Sequence, residues 1–340
     1  MIEAEKRKID KSAVLKNVNI KAKNVTIAKD VNLENVNVEA DTFIVGEGTR
    51  INGSIFSSHG SVDIGSYTQI KENTLLKAFR HVKVGDQTII DRGVVIGGLQ
   101  SEYSQFECGS RCVILHHAYI NTARKVFIGD NVCVGGYSMI FTHGSWQNTF
   151  RGYPSRFGDV TIKDDVWLNW HVIVMPNVTI GKGSTVGSGS VVTDNLPDYC
   201  FAAGVPARIL KKDDYPTKMS LNEKDLLARM VLHDFAGYVK GFVGIKSARL
   251  SEFGDGLILS SNVGSLLYIK KTEKLDKQNL PLDKQNLPHG TDVLSFRIPE
   301  LLREELGWIE IDSETKSKKV NRISEEFIMF VRRYGVRIKL

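Results

Sequence analysis

Residues 162–192 read IKDDVWLNWHVIVMPNVTIGKGSTVGSGSVV, and their spacing decides the fold. Aliphatic residues recur every six positions without a gap: Ile162, Leu168, Val174, Ile180, Val186 and Val192. Four positions after successive anchors stand Val166, Val172, Val178, Ser184 and Ser190, all small or β-branched. An amphipathic helix needs apolar residues about 3.6 apart and a plain strand needs them 2 apart, so neither fits. A step of six with Gly, Asn and Asp between the anchors suits very short strands joined by tight turns. Three hexads close one triangular coil, with the anchors stacked inside and each coil pairing its backbone with the next.

The same step runs upstream. Ile128, Val134 and Ile140 keep it, as do Ile114 with Ile120, Val84 with Ile90 and Ile96, Ile64 with Ile70, Val45 with Ile51, and Ile27 with Leu33. The phase holds too long for a sandwich of alternating strands. The fold class expected is mainly β, a parallel β-helix of hexapeptide repeats followed by a C-terminal α/β domain. Residues 1–13 are a lead-in, 14–212 the β-helix and 213–340 a small accessory domain. Spacing alone does not give the handedness.

The chain has 340 residues and a net charge of +6, with its basic residues spread out, which leaves only a weak option for acidic glycans, nucleotides or phosphates. No basic stripe with interleaved aromatics occurs, so no nucleic-acid partner is expected. The start, MIEAEKRKIDKSA, lacks an apolar core, so no secretory leader is expected, and no apolar run is long enough for a membrane span. Cys108, Cys112, Cys133 and Cys200 are too scattered for a disulfide framework, and a cytoplasmic setting follows. Cys108 and Cys112 have no second pair to complete a metal site and are read as ordinary thiols.

The stretch VWLNWHVIVMPNVTIGKGSTVGSGSVVTDNLPDYCFAAGVPARILKK, 166–212, resembles the hexapeptide-repeat acyltransferases. It is most similar to the branch with the maltose, galactoside and nodulation-factor O-acetyltransferases and the streptogramin acetyltransferases. The resemblance covers about 120–212, and the general repeat extends it back to about residue 14. It implies a left-handed winding, a homotrimer with sites between subunits, and acetyl-CoA as donor substrate.

Between Ile140 and Ile162 the repeat fails: 22 residues is not a multiple of six. A loop is therefore extruded at about 143–159. Loops on a rigid scaffold concentrate chemistry. In the family, a loop near here carries or follows the catalytic histidine, and the T-H pair matches Thr142 and His143. Acetyl transfer from a thioester needs a base for the acceptor proton, and imidazole suits that task near neutral pH. His143 is thus the expected general base, with Asp159 or Asp164 as candidates to orient it.

Acceptor contacts are expected from His116 and His117, one of which should point inward or toward the cleft, and from Trp146, Arg151, Tyr153 and Arg156 in the loop. The family often has asparagine in the segment where this chain has His116 and His117. Aromatic rings suit sugar faces, and arginines suit carboxylate or phosphate. By the resemblance, the CoA groove is lined by Trp170, Ser188, Thr193, Arg208 and Lys211, and Trp167 lies at a subunit contact. Trp170 replaces a residue that is commonly small there. Pro206 follows the turn that Gly204 permits. His171 should face outward.

Ser220–Gly244 has a cap-like Ser220 with Glu223 three later, then apolar residues at helical spacing. LILSS and SLLYIKK read as strands, and LDKQNLPLDKQNLP, 275–288, as a loop or linker. TDVLSFRI, ELLREELG, GWIEIDS, ISEEFIMFVRRYG and VRIKL alternate strand with helix. Lys316–Lys319 reads as a solvated turn.

The expected function is acetyl transfer to a hydroxyl of a sugar or polysaccharide precursor. The alternatives are N-acetylation of an amino sugar, a γ-carbonic-anhydrase-like zinc enzyme, and a non-catalytic scaffold. The zinc class needs an H-x4-H pair, whereas His116 and His117 are adjacent, so no metal is expected.

Overall fold

In the computed structural model, which describes residues 1–254, 256–270, 288, 290–295, 307–334, 336 and 338, the hexads form a parallel β-solenoid of about 10 turns. The chain divides into two units, Met1–Lys218 and Met219–Leu340.

In the first unit, one face stacks Asn32–Glu34, Arg50–Asn52, Gln69–Ile70, Ile89–Ile90, Val113–Ile114, Cys133–Val134, Trp167–Leu168 and Thr185–Val186, all parallel. The register step measures each coil. It is 18 residues between Asn32 and Arg50, and 18 between Trp167 and Thr185. It widens to 24 between Ile89 and Val113, and to 34 between Cys133 and Trp167. The extra residues leave the coil as loops, and the pairing resumes in phase. Ile2–Glu3 and Lys6–Ile9 also pair in parallel, with the strand Asn19–Ile27.

The six anchors of the opening stretch are all buried, at about 1.5–3 kcal/mol for each fully buried aliphatic side chain. Backbone donors at the buried corners are met by short side chains of the preceding coil. Thr68 N–H donates to Thr49 Oγ1, Thr88 N–H to Thr68 Oγ1, Cys112 N–H to Thr88 Oγ1 and Val132 N–H to Cys112 Sγ. Cys112 therefore holds a threonine's place in this ladder. Cys108 is buried beside it, and both are free thiols. The Cys112 thiol and burial push the Cys108 thiol well above its usual range.

At another corner the chain takes left-handed φ in every coil, at Asn73, Gly93, His117, Tyr137, His171 and Gly189. Side chains at this column stand outside the coil.

The second unit opens with the helix Leu221–Tyr238, capped by Ser220, whose Oγ accepts from Glu223 N–H while the Glu223 carboxylate accepts from Ser220 N–H. A six-stranded mixed sheet follows, in the order Arg249–Phe253, Gly256–Ser261, Gly264–Tyr268, Thr291–Ser295, Trp308–Glu310, Thr315–Lys316. Its middle strands are parallel and its outer pairs antiparallel. A second helix, Arg322–Phe330, shares the apolar core with the first, where Phe235 meets Phe327 edge-on at 5.2 Å. Of the sequence expectations here, the linker at 275–288 lies outside the described residues except for Pro288. So do ELLREELG except Gly307, and VRIKL except Val336 and Ile338.

Candidate active site

The second face of the solenoid stacks Val95–Gly97, Tyr119–Asn121, Met139–Ile140, Ile173–Val174 and Val191–Val192. The third face stacks Gln105–Cys108, Lys125–Ile128, Val160–Ile162 and Thr179–Ile180. Between these faces, three successive coils present residues 98–104, 122–124 and 141–159. The first and third are extruded, and the short Asn121–Arg124 turn lies between them.

The larger extrusion is a hairpin. His143–Gly144 pairs antiparallel with Arg156–Phe157, and Gly158 N–H closes the neck on the Thr142 carbonyl at 3.0 Å. Thr142 is buried, accepts from Arg124 N–H at 3.0 Å and donates to the Asn121 carbonyl at 2.9 Å. This ties the root of His143 to the coil below.

Nδ1 of His143 lies 2.9 Å from Oδ1 of Asn121, and Ala123 N–H donates to the same oxygen at 3.2 Å. That second bond fixes the chemistry. An amide N–H only donates, so the atom facing Ala123 is the carbonyl oxygen, which only accepts. His143 must then carry a proton on Nδ1, and in the neutral imidazole Nε2 is the nitrogen with the lone pair. The imidazole is also stacked on Phe157, with centroids 5.5 Å apart and planes at 25°. The Arg124 guanidinium lies 5.0 Å from the Phe157 centroid and 4.4 Å from that of Tyr103 in the smaller extrusion.

The candidates named from sequence fall in different places. Asp159 accepts from Lys125 N–H at 3.1 Å, and Asp164 from Asp130 N–H at 3.0 Å. Both hold coils together, and neither orients His143; Asn121 does. Trp146 and Phe150 are 98% and 102% exposed, so the hairpin tip stands in solvent. Arg151 closes a 3-10 turn, Thr149–Arg151, that Asn148 caps through Phe150 N–H. Arg151, Tyr153 and Arg156 are exposed, and Arg156 pairs across the hairpin with Gly144, next to His143.

Of the two expected directions, inward or toward a cleft, neither His116 nor His117 takes the inward one. The inward residues there are Ile114, Ala118 and Ile120, and the two histidines occupy the corner between the first and second faces. The chain must turn at that corner, which swings both rings outside. His116 meets the Trp170 ring edge-on at 5.1 Å, and Tyr137 stacks on His171 at 5.4 Å and 12°. His171 is exposed, as its position after the anchor implies. Gly136 makes the room: a Cβ there would lie 2.7 Å from the Trp170 ring. Trp170, assigned to the donor, and His116, assigned to the acceptor, thus share one cluster. Burial works to raise the neighbouring Asp91 carboxyl, but Arg92 N–H, Lys71 and His116 outweigh it and hold it below the usual carboxylate range.

Ser188 follows Trp170 one coil on and is exposed. Thr193 donates to Asp194 at 2.9 Å, and Arg208 lies 3.7 Å from the same carboxylate. Lys211 ends the strand Arg208–Lys211 and is exposed, as is Trp167. Gly204 takes φ 104° just before Pro206. His116 and His117 stand at a different corner from His143, and among the described residues no three His, Cys, Asp or Glu side chains are placed to share a metal.

Asn121, Arg124, Phe157 and Tyr103 were not singled out from sequence. A signal for Tyr103 existed: Ile90 and Ile114 are one coil apart yet 24 residues apart, which marks an insertion. Asn121 and Arg124 needed the coil register before they could be placed beside residues 142–157.

Residues 159–194 match the family model described as bacterial transferase hexapeptide (six repeats). Over 110 residues the chain is 36% identical to a provisionally named acetyltransferase of Schizosaccharomyces pombe, covering 32% of this chain and 50% of that one. Over 89 residues it is 36% identical to galactoside O-acetyltransferase of Escherichia coli, covering 26% of this chain and 44% of that one. The chain thus spans about half the length of the curated relatives it matches. Among solved structures, a maltose O-acetyltransferase from Clostridium difficile aligns at 26% identity with a TM-score of 0.28, covering 40% of this chain and 68% of that one. The chain carries the hexapeptide repeat of these transferases and is similar, across that repeat, to hexapeptide-repeat acetyltransferases.

Proposed function

We propose that this protein is an acetyl-CoA-dependent O-acetyltransferase acting on a hydroxyl of a sugar or polysaccharide precursor, with His143 as general base. One observation carries the reading: Asn121 fixes the Nδ1–H form of His143 and leaves Nε2 with a lone pair on an extruded hairpin. Nε2 takes the proton of the acceptor hydroxyl as its oxygen attacks the thioester carbonyl carbon. The tetrahedral intermediate collapses with cleavage of the C–S bond, and the proton on Nε2 passes to the leaving thiolate. The thioester is already activated, so no enzyme nucleophile is required.

Trp170, Ser188, Thr193, Arg208 and Lys211 are proposed to line the donor groove. The exposed charges of Arg208 and Lys211 suit its phosphates. His116, His117, Trp146, Arg151, Tyr153 and Arg156 are proposed acceptor contacts, with the assembly a homotrimer whose sites lie between subunits. Convergence of two corners from neighbouring copies would bring His116 and His143 to one cleft. No helix of the described residues is long and apolar enough to cross a membrane, and a cytoplasmic setting is part of the proposal.

The test is thiol release from acetyl-CoA across sugars and nucleotide sugars. The wild type should transfer to at least one acceptor, and His143→Ala should lose about 10²–10⁴ of that rate. Full transfer by His143→Ala would reject the mechanism.

A further inference from the structure

The Arg124 guanidinium is half-buried and clamped between the Tyr103 and Phe157 rings. Its backbone N–H is held by Thr142, so both ends of the side chain are fixed. Two other arginines of the solenoid have acidic neighbours: Arg111 lies 3.4 Å from Asp130, and Arg208 3.7 Å from Asp194. Among the described residues, no carboxylate lies within ion-pair distance of Arg124. Both rings lie within cation–π distance of the guanidinium, and among the described residues none of its five side-chain N–H donors has a hydrogen-bond acceptor.

A cation withdrawn partly from water with its donors unmet favours an oxyanion over a neutral hydroxyl. Its place is also telling. Phe157 is shared between Arg124, 5.0 Å from its ring centroid, and His143, 5.5 Å from it, so both groups border one ring at the neck of the hairpin. We infer that Arg124 is the receptor for an anionic group, carboxylate or phosphate, on the acceptor, so that the substrate is an acidic sugar rather than a neutral one. This rests on the reading of His143 as the base, because that places the acceptor at this corner. Tyr103 and Phe157 hold the fork in place, and the smaller extrusion at 98–104 thereby gains a role.

The test is binding of glucose, glucuronate and glucose 6-phosphate, followed by saturation-transfer NMR without acetyl-CoA. The three probes share one ring and differ in the group at carbon six. The wild type should bind at least one anion about tenfold more tightly than glucose. The better of the two anions tells carboxylate from phosphate. Arg124→Gln should bind all three alike. Should Arg124→Gln fail to fold, Arg124→Lys is read instead. It keeps a charge without the fork, and the preference should fall several-fold. Equal binding of glucose and both anions by the wild type overturns the inference, and so does an undiminished preference in a folded variant. Because no transfer is measured, a protein that acetylates acceptors without anionic preference loses this inference alone.

Discussion

Removing Asn121 should separate the fold from the chemistry. Its Oδ1 faces three donors, His143 Nδ1–H at 2.9 Å, Thr142 Oγ1–H at 3.0 Å and Ala123 N–H at 3.2 Å. In Asn121→Ala His143 and Ala123 lose their acceptor, while Thr142 keeps the backbone carbonyl of residue 121 at 2.9 Å. Ala123 is buried, so its stranded N–H costs about 1–3 kcal/mol of stability. The lost bond to His143, worth about 1 kcal/mol, alone lets the proton shift to Nε2 in a several-fold larger share of molecules. The looser ring adds to this, and kcat/KM should fall by roughly 10–10². Asn121→Asp is the sharper variant. Its carboxylate still accepts from His143 and Ala123, but it also stabilises the imidazolium. The base then stays protonated to higher pH, so the acid limb of the kcat/KM profile should move upward while the plateau is largely kept. The assay is thiol release from acetyl-CoA between about pH 5 and 9, with melting curves alongside. Wild-type kcat/KM in Asn121→Ala, or a profile of Asn121→Asp that superimposes on wild type, would refute the tautomer argument.

Arg208→Ala should raise the KM for acetyl-CoA several-fold and leave the acceptor KM unchanged, read from initial rates with each substrate varied. The double change Trp146→Ala and Phe150→Ala removes two side chains that pack on nothing, so stability should stay within about 0.5 kcal/mol by denaturant titration, while the acceptor KM rises. Burial pushes the Asp292 carboxyl above its usual range, against the pull of the Ser324 and Asn321 hydrogen bonds. Folding therefore favours the protonated acid, and the stability it contributes is present at low pH and lost as pH rises through the raised value. Asp292→Asn should accordingly raise the melting midpoint at neutral pH, by roughly 2–4 °C for each kcal/mol recovered, and leave it unchanged near pH 3. A shift of equal size at both pH values would show that the charge is not the cause.

The solenoid was legible because it asks the same question of the sequence at every coil. Each anchor meets the residue one turn above and one turn below, so the chemistry must repeat, and the failure between Ile140 and Ile162 is as visible as the rule. The hairpin itself was not legible. Trp146, Arg151 and Tyr153 have residue types that suit a sugar, but residue type carries no direction for side chains on an exposed hairpin. The sequence left two directions open for His116 and His117 for a different reason: at the corner the backbone turns to φ 58° at His117, and the alternation of a strand no longer tells in from out. Asn121 was missed because its partner is 22 residues away, a separation that means contact only once the loop is subtracted.

That subtraction has a consequence for how such a protein changes. Coils on either side of the hairpin join strand to strand, Val126 to Val160 and Met139 to Ile173, as though the intervening residues were absent. Nothing in the stack records how long the excursion is, and doubling its length costs only about 0.6 kcal/mol of closure entropy. The corner between the second and third faces behaves as a socket. Segments of different length and chemistry can be plugged in there, as 98–104 and 141–159 already are, while the rungs above and below keep their register. A new acceptor specificity can therefore be acquired by replacing one hairpin, leaving His143's root at Thr142 and the whole aliphatic column as they stand.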